Sequence, residues 1–374
     1  MKLVCFLLLL FITQTGWAQK KIYPYRVKDK FGYSDEKKKI LIEPAYYQAW
    51  PFYEGLARVA VLDAANKISY GFINEKGKWI IPATYYYAAD LEDGKAIIRA
   101  RTGYGVIDKK GKVLIDTMQR SIYYNAKEKL YKVEGANRNY CFFDTDGKQL
   151  FPFNFTFLSD ASEGIAPARD ANNQYGFINL KGEWIIGPKK EYVNARPFSD
   201  GIGSVTLTST PAKGNEIYID KTGQQVIKGY FSNAGPFKNG IASVDYTGYI
   251  NKKGERLFTR FNATSDFRGG LATARNTALA GNSIYYLIDT EGNELASTIY
   301  TGGGFYYGEH GNILKQSLHK YGVIDRKGKT ILECKYDRLR ISRNGYIYTY
   351  YQDKNYNDII TGYIGENGTE YWED

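Results

Sequence analysis

One short cassette, repeated ten times, constrains this chain more than anything else in it. Its clearest copy is Tyr70 to Pro82, Tyr-Gly-Phe-Ile-Asn-Glu-Lys-Gly-Lys-Trp-Ile-Ile-Pro, in which two runs of aromatic and β-branched residues flank a tight turn. Asn74 can open a type I turn by folding its side chain onto its own backbone, and Gly77 can close it in the left-handed conformation. Asp or Asn recurs at the first position as Asp35, Asn74, Asp108, Asp144, Asn179, Asp220, Asn251, Asp289 and Asp325, with Gly365 as the exception. Glycine follows three residues later in every copy but the first, where Lys38 stands. The spacing between copies places the chain among solenoids, propellers and related arrays.

Two further regularities surround the turn. Seven copies carry a second glycine three residues before the Asp or Asn, as in Gly32, Gly71 and Gly322, usually after an aromatic residue. Glycine inside a strand weakens it unless something passes close by, and an aromatic ring lying over the bare backbone is the expected reason. After the second strand comes Pro and then Tyr, as in Pro44-Ala45-Tyr46. A link of about a dozen residues follows, often ending Phe-x-x-Gly, as in Phe52 to Gly55 and Phe237 to Gly240. A third strand then begins, for example at Leu56-Ala57-Arg58-Val59. The expectation is an all-β tandem array of about ten three-stranded meander or hairpin repeats. It would form an open superhelical, solenoid-like structure, with a closed propeller-like ring as the alternative.

The length of 374 residues, with 43% hydrophobic and 24% charged, excludes disorder and supports a large core. Residues 1–18 read as a signal peptide, with Lys2, an apolar run from Leu3 to Ile12, and cleavage between Ala18 and Gln19. That run is too short to span a bilayer, and no other segment could do so. The repeat domain then occupies 19–374 and is expected outside the cytoplasm, in a periplasm, on an outer surface or secreted. The net charge of +10 is scattered through the turns, where lysine also discourages edge-to-edge aggregation. Cys141 and Cys334, five repeats apart, are expected as unpaired thiols.

The core Tyr-Gly-Phe-Ile-Asn-x-x-Gly-Lys-Trp-Ile-Ile, followed by Tyr and then Phe-x-x-Gly-Leu-Ala-x-Val, resembles the bacterial WG repeat family, with Tyr at the namesake Trp position in Tyr70, Tyr104, Tyr175 and Tyr321. The resemblance implies tandem β-repeats in bacterial, often exported, proteins and no catalytic residues.

No catalytic constellation is legible. Histidine occurs only as His310 and His319, without Cys or carboxylate neighbours at ligand spacing. Asp144-Thr145-Asp146-Gly147 begins like a calcium loop but lacks the later ligands and falls on the repeat turn. Gly302-Gly303-Gly304 follows no strand-to-helix pattern, so it is read as a connection and not a phosphate cradle. No Gly-x-Ser-x-Gly elbow is present. No metal, cofactor or enzyme activity is expected.

What remains is an aromatic surplus of 35 Tyr and 19 Phe. Most should fill the spaces between repeats, but runs such as Tyr85-Tyr86-Tyr87 must direct rings to both sides of a strand, making these three the candidate ligand contacts. The expected function is a non-catalytic binding or scaffold protein for a protein or peptide partner. A module binding envelope glycan through exposed Tyr and Trp is the alternative. An exported protein is not expected to meet nucleic acid.

Overall fold

The computed structural model describes residues 21–373 apart from 211–213, 259–260, 278–282, 300–303, 308–311, 318, 343–344, 353–357 and 366. The signal segment with Ala18 and Gln19 lies outside the described residues, as do His310, Gly302 and Gly303. The described residues form ten small β-sheets in chain order, six of four strands and four of three, with no helix. In the second sheet Gln48–Tyr53, Leu56–Leu62, Ile68–Asn74 and Trp79–Tyr85 lie side by side, each antiparallel to the next. The expected meander is the last three of these. The fourth strand comes from the link, which pairs with the strand that follows it, again at Tyr87–Ala88, Phe157–Leu158 and Gly304–Tyr307.

The turns form as their residues dictate. The Asn74 side-chain oxygen accepts the amides of Lys76 and Lys78, both at 3.0 Å, while the Gly77 amide donates to the Asn74 carbonyl at 2.9 Å with φ of 75°. The same pair of side-chain bonds recurs at Asp144, so that stretch is a repeat turn. Lys38 occupies the left-handed position with φ of 63°, and the turn closes all the same.

The strand glycines are explained differently from the expectation. A Cβ on Gly71 would stand 2.5 Å from the Ile81 carbonyl oxygen and 2.7 Å from the Ala83 nitrogen, which are backbone atoms and not an aromatic ring. Gly322 meets the Leu332 carbonyl and the Cys334 nitrogen in the same way. The cause is a bulge: Tyr70 pairs with Tyr85 and Phe72 with Ile81, so two steps on one strand face four on the other. The extra residues fold toward the glycine. Pro44 and Pro82 sit in these bulges, where a missing N–H costs no ladder bond. A ring is the neighbour at Gly362, against Trp372, and contributes at Gly176, beside Trp184.

Successive sheets interlock by repeated contacts. Each turn glycine sits over the preceding sheet: a Cβ on Gly77 would meet Ile42 at 3.1 Å, and one on Gly223 would meet Ile186 at 3.1 Å. The phenylalanine of Phe-x-x-Gly packs on an aromatic of the sheet before it, Phe52 on Tyr33, Phe198 on Phe177 and Phe237 on Tyr218, at 4.8 to 5.1 Å between centroids. Where that aromatic is Tyr, its hydroxyl donates to a carbonyl of the next sheet, Tyr33 to Trp50 at 2.9 Å and Tyr218 to Gly235 at 2.8 Å. A ring pair and a buried hydrogen bond together contribute about 2 kcal/mol per interface, so stability resides in the interfaces as much as in the sheets.

The two ends of the array meet. Trp372–Glu373 pairs in parallel with Arg26 and Val27, Tyr23 stacks on Tyr371 at 4.2 Å, and the Tyr25 hydroxyl donates to Glu373. The first sheet takes its fourth strand from Trp372–Glu373, and the tenth sheet bonds directly to the second. The Ile360 amide donates to the Gln48 side chain at 2.8 Å, Gln48 donates back at 3.2 Å, and the Tyr363 hydroxyl reaches the Ala49 carbonyl at 3.0 Å. The all-β tandem array therefore stands, each sheet open rather than closed on itself. Of the two forms open to the array, this end-to-end contact selects the ring.

Candidate binding surface

Because strands alternate direction, the ring has two unlike ends. One carries the Asx turns together with the tight turns that end Phe-x-x-Gly. The other carries the loops between the third strand and the glycine-bearing strand, as well as the passages from sheet to sheet. Toward this second end an aromatic row crosses the second and third sheets. Trp50, Tyr70, Tyr87 and Tyr104 follow one another at centroid distances of 5.9, 6.3 and 6.4 Å. They are held by register: Tyr87 and Tyr104 both lie opposite Arg99, and Arg99 stands over the Tyr104 ring at 5.5 Å.

At the head of the row Arg58 lies 3.8 Å over the Trp50 ring, donates from Nε to Asp90 at 2.9 Å and donates to the Ala88 carbonyl at 2.5 Å. Its side chain is 11% exposed, and the Asp90 carboxylate, the Ala88 carbonyl and the indole face stand in for the water it gives up. The pair ties the second sheet to the third. Burial raises the Tyr70 and Tyr87 hydroxyls above the ordinary phenol value, against the opposing pull of Arg58, so both are neutral donors across the physiological range.

The candidate residues Tyr85, Tyr86 and Tyr87 divide three ways. Tyr85 is half-buried and pairs with Tyr70. Tyr86 is exposed, with the Lys67 ammonium 4.4 Å over its ring and also 3.4 Å from its hydroxyl. Tyr87, 41% exposed, lies in the row. Trp50, Tyr70, Tyr104, Arg58 and Asp90 complete the surface. Arg58 stands where the matching strands carry Ile97, Pro167 or Ser204, but the fourth sheet has Lys132 there, so its charge alone did not mark it in the sequence. The other aromatic runs separate: Tyr123, Tyr306 and Tyr351 are exposed at distant sheets. Among the described residues no group of three or more His, Cys, Asp or Glu could hold a metal ion. Cys141 is buried, its thiol pushed up to about 12 by burial, and Cys334 is half-buried; neither is bonded to another cysteine.

The model of one family, the WG containing repeat, matches residues 31–61, 70–100, 140–173, 175–207, 218–245 and 321–356. The chain is a WG-repeat protein. Each matched segment contains the Asx turn or its flanking strands, so the family's unit and the structural repeat coincide. No curated protein matches this WG-repeat protein in sequence. Among solved structures it is similar to a eukaryotic initiation factor at 10% identity and a TM-score of 0.45, covering 94% of this chain and 95% of that one. It is also similar to the C-terminal WD40 domain of Sif2 at 9% identity and a TM-score of 0.33, covering 92% and 95%. The WD40 β-propeller domain of Doa1 follows at 12% identity and a TM-score of 0.30, covering 69% and 86%. At such scores the likeness carries no argument, and the ring rests on its own terminal contacts. Among the described residues no helix is long and apolar enough to cross a membrane.

Proposed function

We propose that this WG-repeat protein is a non-catalytic binding protein that holds a protein or peptide partner against the aromatic row of its second and third sheets. The observation carrying this reading is the row itself, Trp50, Tyr70, Tyr87 and Tyr104 with Arg58 and Arg99 beside it, the residue types that concentrate binding energy at protein interfaces. Its geometry favours a peptide over a sugar. Sugar stacking needs a free ring face, whereas Trp50 is covered by Arg58, Tyr86 by Lys67, and Tyr87 is flanked by two tilted rings. What the row offers instead is ring edges, hydroxyl donors and a guanidinium, which suit carbonyls and side chains of a polypeptide. The apolar leader after Lys2 supports a place of work outside the cytoplasm.

The test has two arms. A photo-crosslinking residue at position 86 should join the protein to a defined partner from the envelope fraction, and Tyr87→Ala should weaken that complex at least tenfold, the scale of an interface anchor. Capture that is indifferent to Tyr87, or co-sedimentation with purified cell-wall polymer that Tyr87→Ala abolishes, would replace this reading with another surface or with the glycan. N-terminal sequencing of the exported form should begin at Gln19.

A further inference from the structure

We propose that the opposite end of the ring, at the Asx turns of the first three sheets, docks on an anionic membrane surface. These turns read Asp35-Glu36-Lys37-Lys38-Lys39-Ile40, Asn74-Glu75-Lys76-Gly77-Lys78-Trp79 and Asp108-Lys109-Lys110-Gly111-Lys112-Val113. Lys109 is tied to Glu54 at 2.8 Å. The other lysines are exposed and form no ion pair among the described residues. Two of the acids are committed, since the Asp35 and Asp108 carboxylates accept backbone amides inside their own turns.

The lysines alternate with bare apolar side chains. Ile40 is 39% exposed, Trp79 and Ile80 are each 42% exposed and Val113 is 49% exposed, each in the first strand residues after its turn. The three turns form one surface, because Gly77 lies over Ile42 of the first sheet and Gly111 over Ile81 of the second. The tips Lys76 to Lys78 and Lys110 to Lys112 are thereby carried over the strands beginning at Ile40 and Trp79.

The arrangement is not required by the fold. The eighth turn, Asp289-Thr290-Glu291-Gly292-Asn293-Glu294, closes with the same hydrogen bonds while carrying acids. Basic residues also stand in the seventh and ninth turns, at Lys252-Lys253 and Arg326-Lys327, but there the apolar residues that follow, Leu257 and Ile331, are half-buried; lysine beside an exposed indole and exposed aliphatics is what the first three sheets combine, and keeping strand edges apart does not require it. A soluble polyanion would use the ammonium groups and leave the apolar side chains in water. Addition of a partner strand is blocked where Pro44 and Pro82 and the bulges interrupt the edge ladder. Trp, Ile and Val between lysines match the boundary of headgroup and acyl chain on an anionic leaflet.

The probe is a set of vesicles, phosphatidylcholine alone and with about a third phosphatidylglycerol, mixed with the purified protein. Binding is expected only to the anionic vesicles, falling steeply with salt. The charge-reversal variant Lys76→Glu, Lys78→Glu, Lys110→Glu, Lys112→Glu should lose on the order of a hundredfold or more in affinity, each lysine contributing roughly fivefold. Brominated acyl chains should quench Trp fluorescence in the parent, and Trp79→Phe should abolish the quenching while circular dichroism and melting stay unchanged. No retention on anionic vesicles, equal retention of the charge-reversed protein, or quenching that survives Trp79→Phe would overturn the proposal. So would binding to soluble polyglutamate as tight as to vesicles, which would assign the surface to an acidic protein instead.

Discussion

Gly71→Ala isolates the claim that bulged backbone, and not an aromatic ring, sets the strand glycines. The added methyl would lie 2.5 Å from the Ile81 carbonyl oxygen and 2.7 Å from both the Ala83 nitrogen and the Pro82 carbonyl carbon. None of these can rotate away as a side-chain end would, so the cost belongs at the upper end of the overpacking range, about 3 kcal/mol. Restricting the unfolded chain returns roughly 0.4–1 kcal/mol, leaving a net loss of about 2 kcal/mol. With an unfolding entropy of roughly 2 cal/mol/K per residue over about 350 residues, each kcal/mol moves the melting point by about 1.4 °C, so Tm should fall by about 3 °C. Two other substitutions calibrate the measurement. At Gly187 no heavy atom lies within 4 Å of an added Cβ and the backbone is not left-handed, so Gly187→Ala should raise Tm by about 1 °C. Gly164 is equally open but has φ of 76°, so Gly164→Ala reports left-handed strain alone, a cost of about 1–2 kcal/mol. Scanning calorimetry of the three proteins should rank Gly187→Ala above the parent and Gly71→Ala lowest. If Gly71→Ala melts with Gly187→Ala, or if trimming Trp79 to Ala in the Gly71→Ala background restores the parent Tm, the backbone explanation fails.

Gln48→Ala removes both hydrogen bonds to Ile360 and strands its buried amide and carbonyl, at about 1–3 kcal/mol; hydrogen exchange should show peptides around 48 and 360 losing protection together. Lys38→Gly should stabilise by about 0.5–1 kcal/mol, because relief of the left-handed strain exceeds the flexibility glycine adds to the unfolded chain; a denaturant midpoint that falls would contradict this. Burial alone would raise the Glu163 carboxyl, but the Gly201 amide at 3.1 Å and Lys221 at 3.2 Å more than offset it and hold it below its ordinary value of 4.5. A depressed carboxyl adds stability above its unfolded value, and that stability disappears as pH falls through the folded one. Glu163 is half-buried but its partner Lys221 is exposed, so screening limits the effect to roughly 0.5 kcal/mol. Between pH 7 and pH 3 the parent should therefore lose slightly more Tm than Glu163→Gln.

What the sequence made legible was local. The Asx turns could be read wherever both determinants stand, all copies but those with Lys38 and Gly365, because an Asp or Asn oxygen and a glycine three residues on determine a conformation by themselves. The Phe-x-x-Gly motif was visible as a pattern, but its partners, Tyr33 for Phe52 and Phe177 for Phe198, lie in the preceding sheet and leave no local signature. The link escaped assignment as a strand because it contributes as few as two paired residues, as at Tyr87–Ala88. Closure was equally hidden, for the Trp372 and Arg26 pairing spans the whole array and no short-range pattern encodes it. At the candidate surface the tyrosine run drew attention to the right strand. The row itself is made by register, which sets Tyr87 and Tyr104 against the same arginine.

The seam between Trp372 and Arg26 bears on how such a protein can change size. A free-ended stack gains or sheds a module by duplication or deletion and presents the same terminus as before. Here an eleventh module would have to narrow every angular step before residues 371–373 could again reach residues 23–28, and a circle of nine would have to widen it. The count of modules is thus a discrete property, inherited whole, while single turns remain free to exchange lysine for glutamate one at a time.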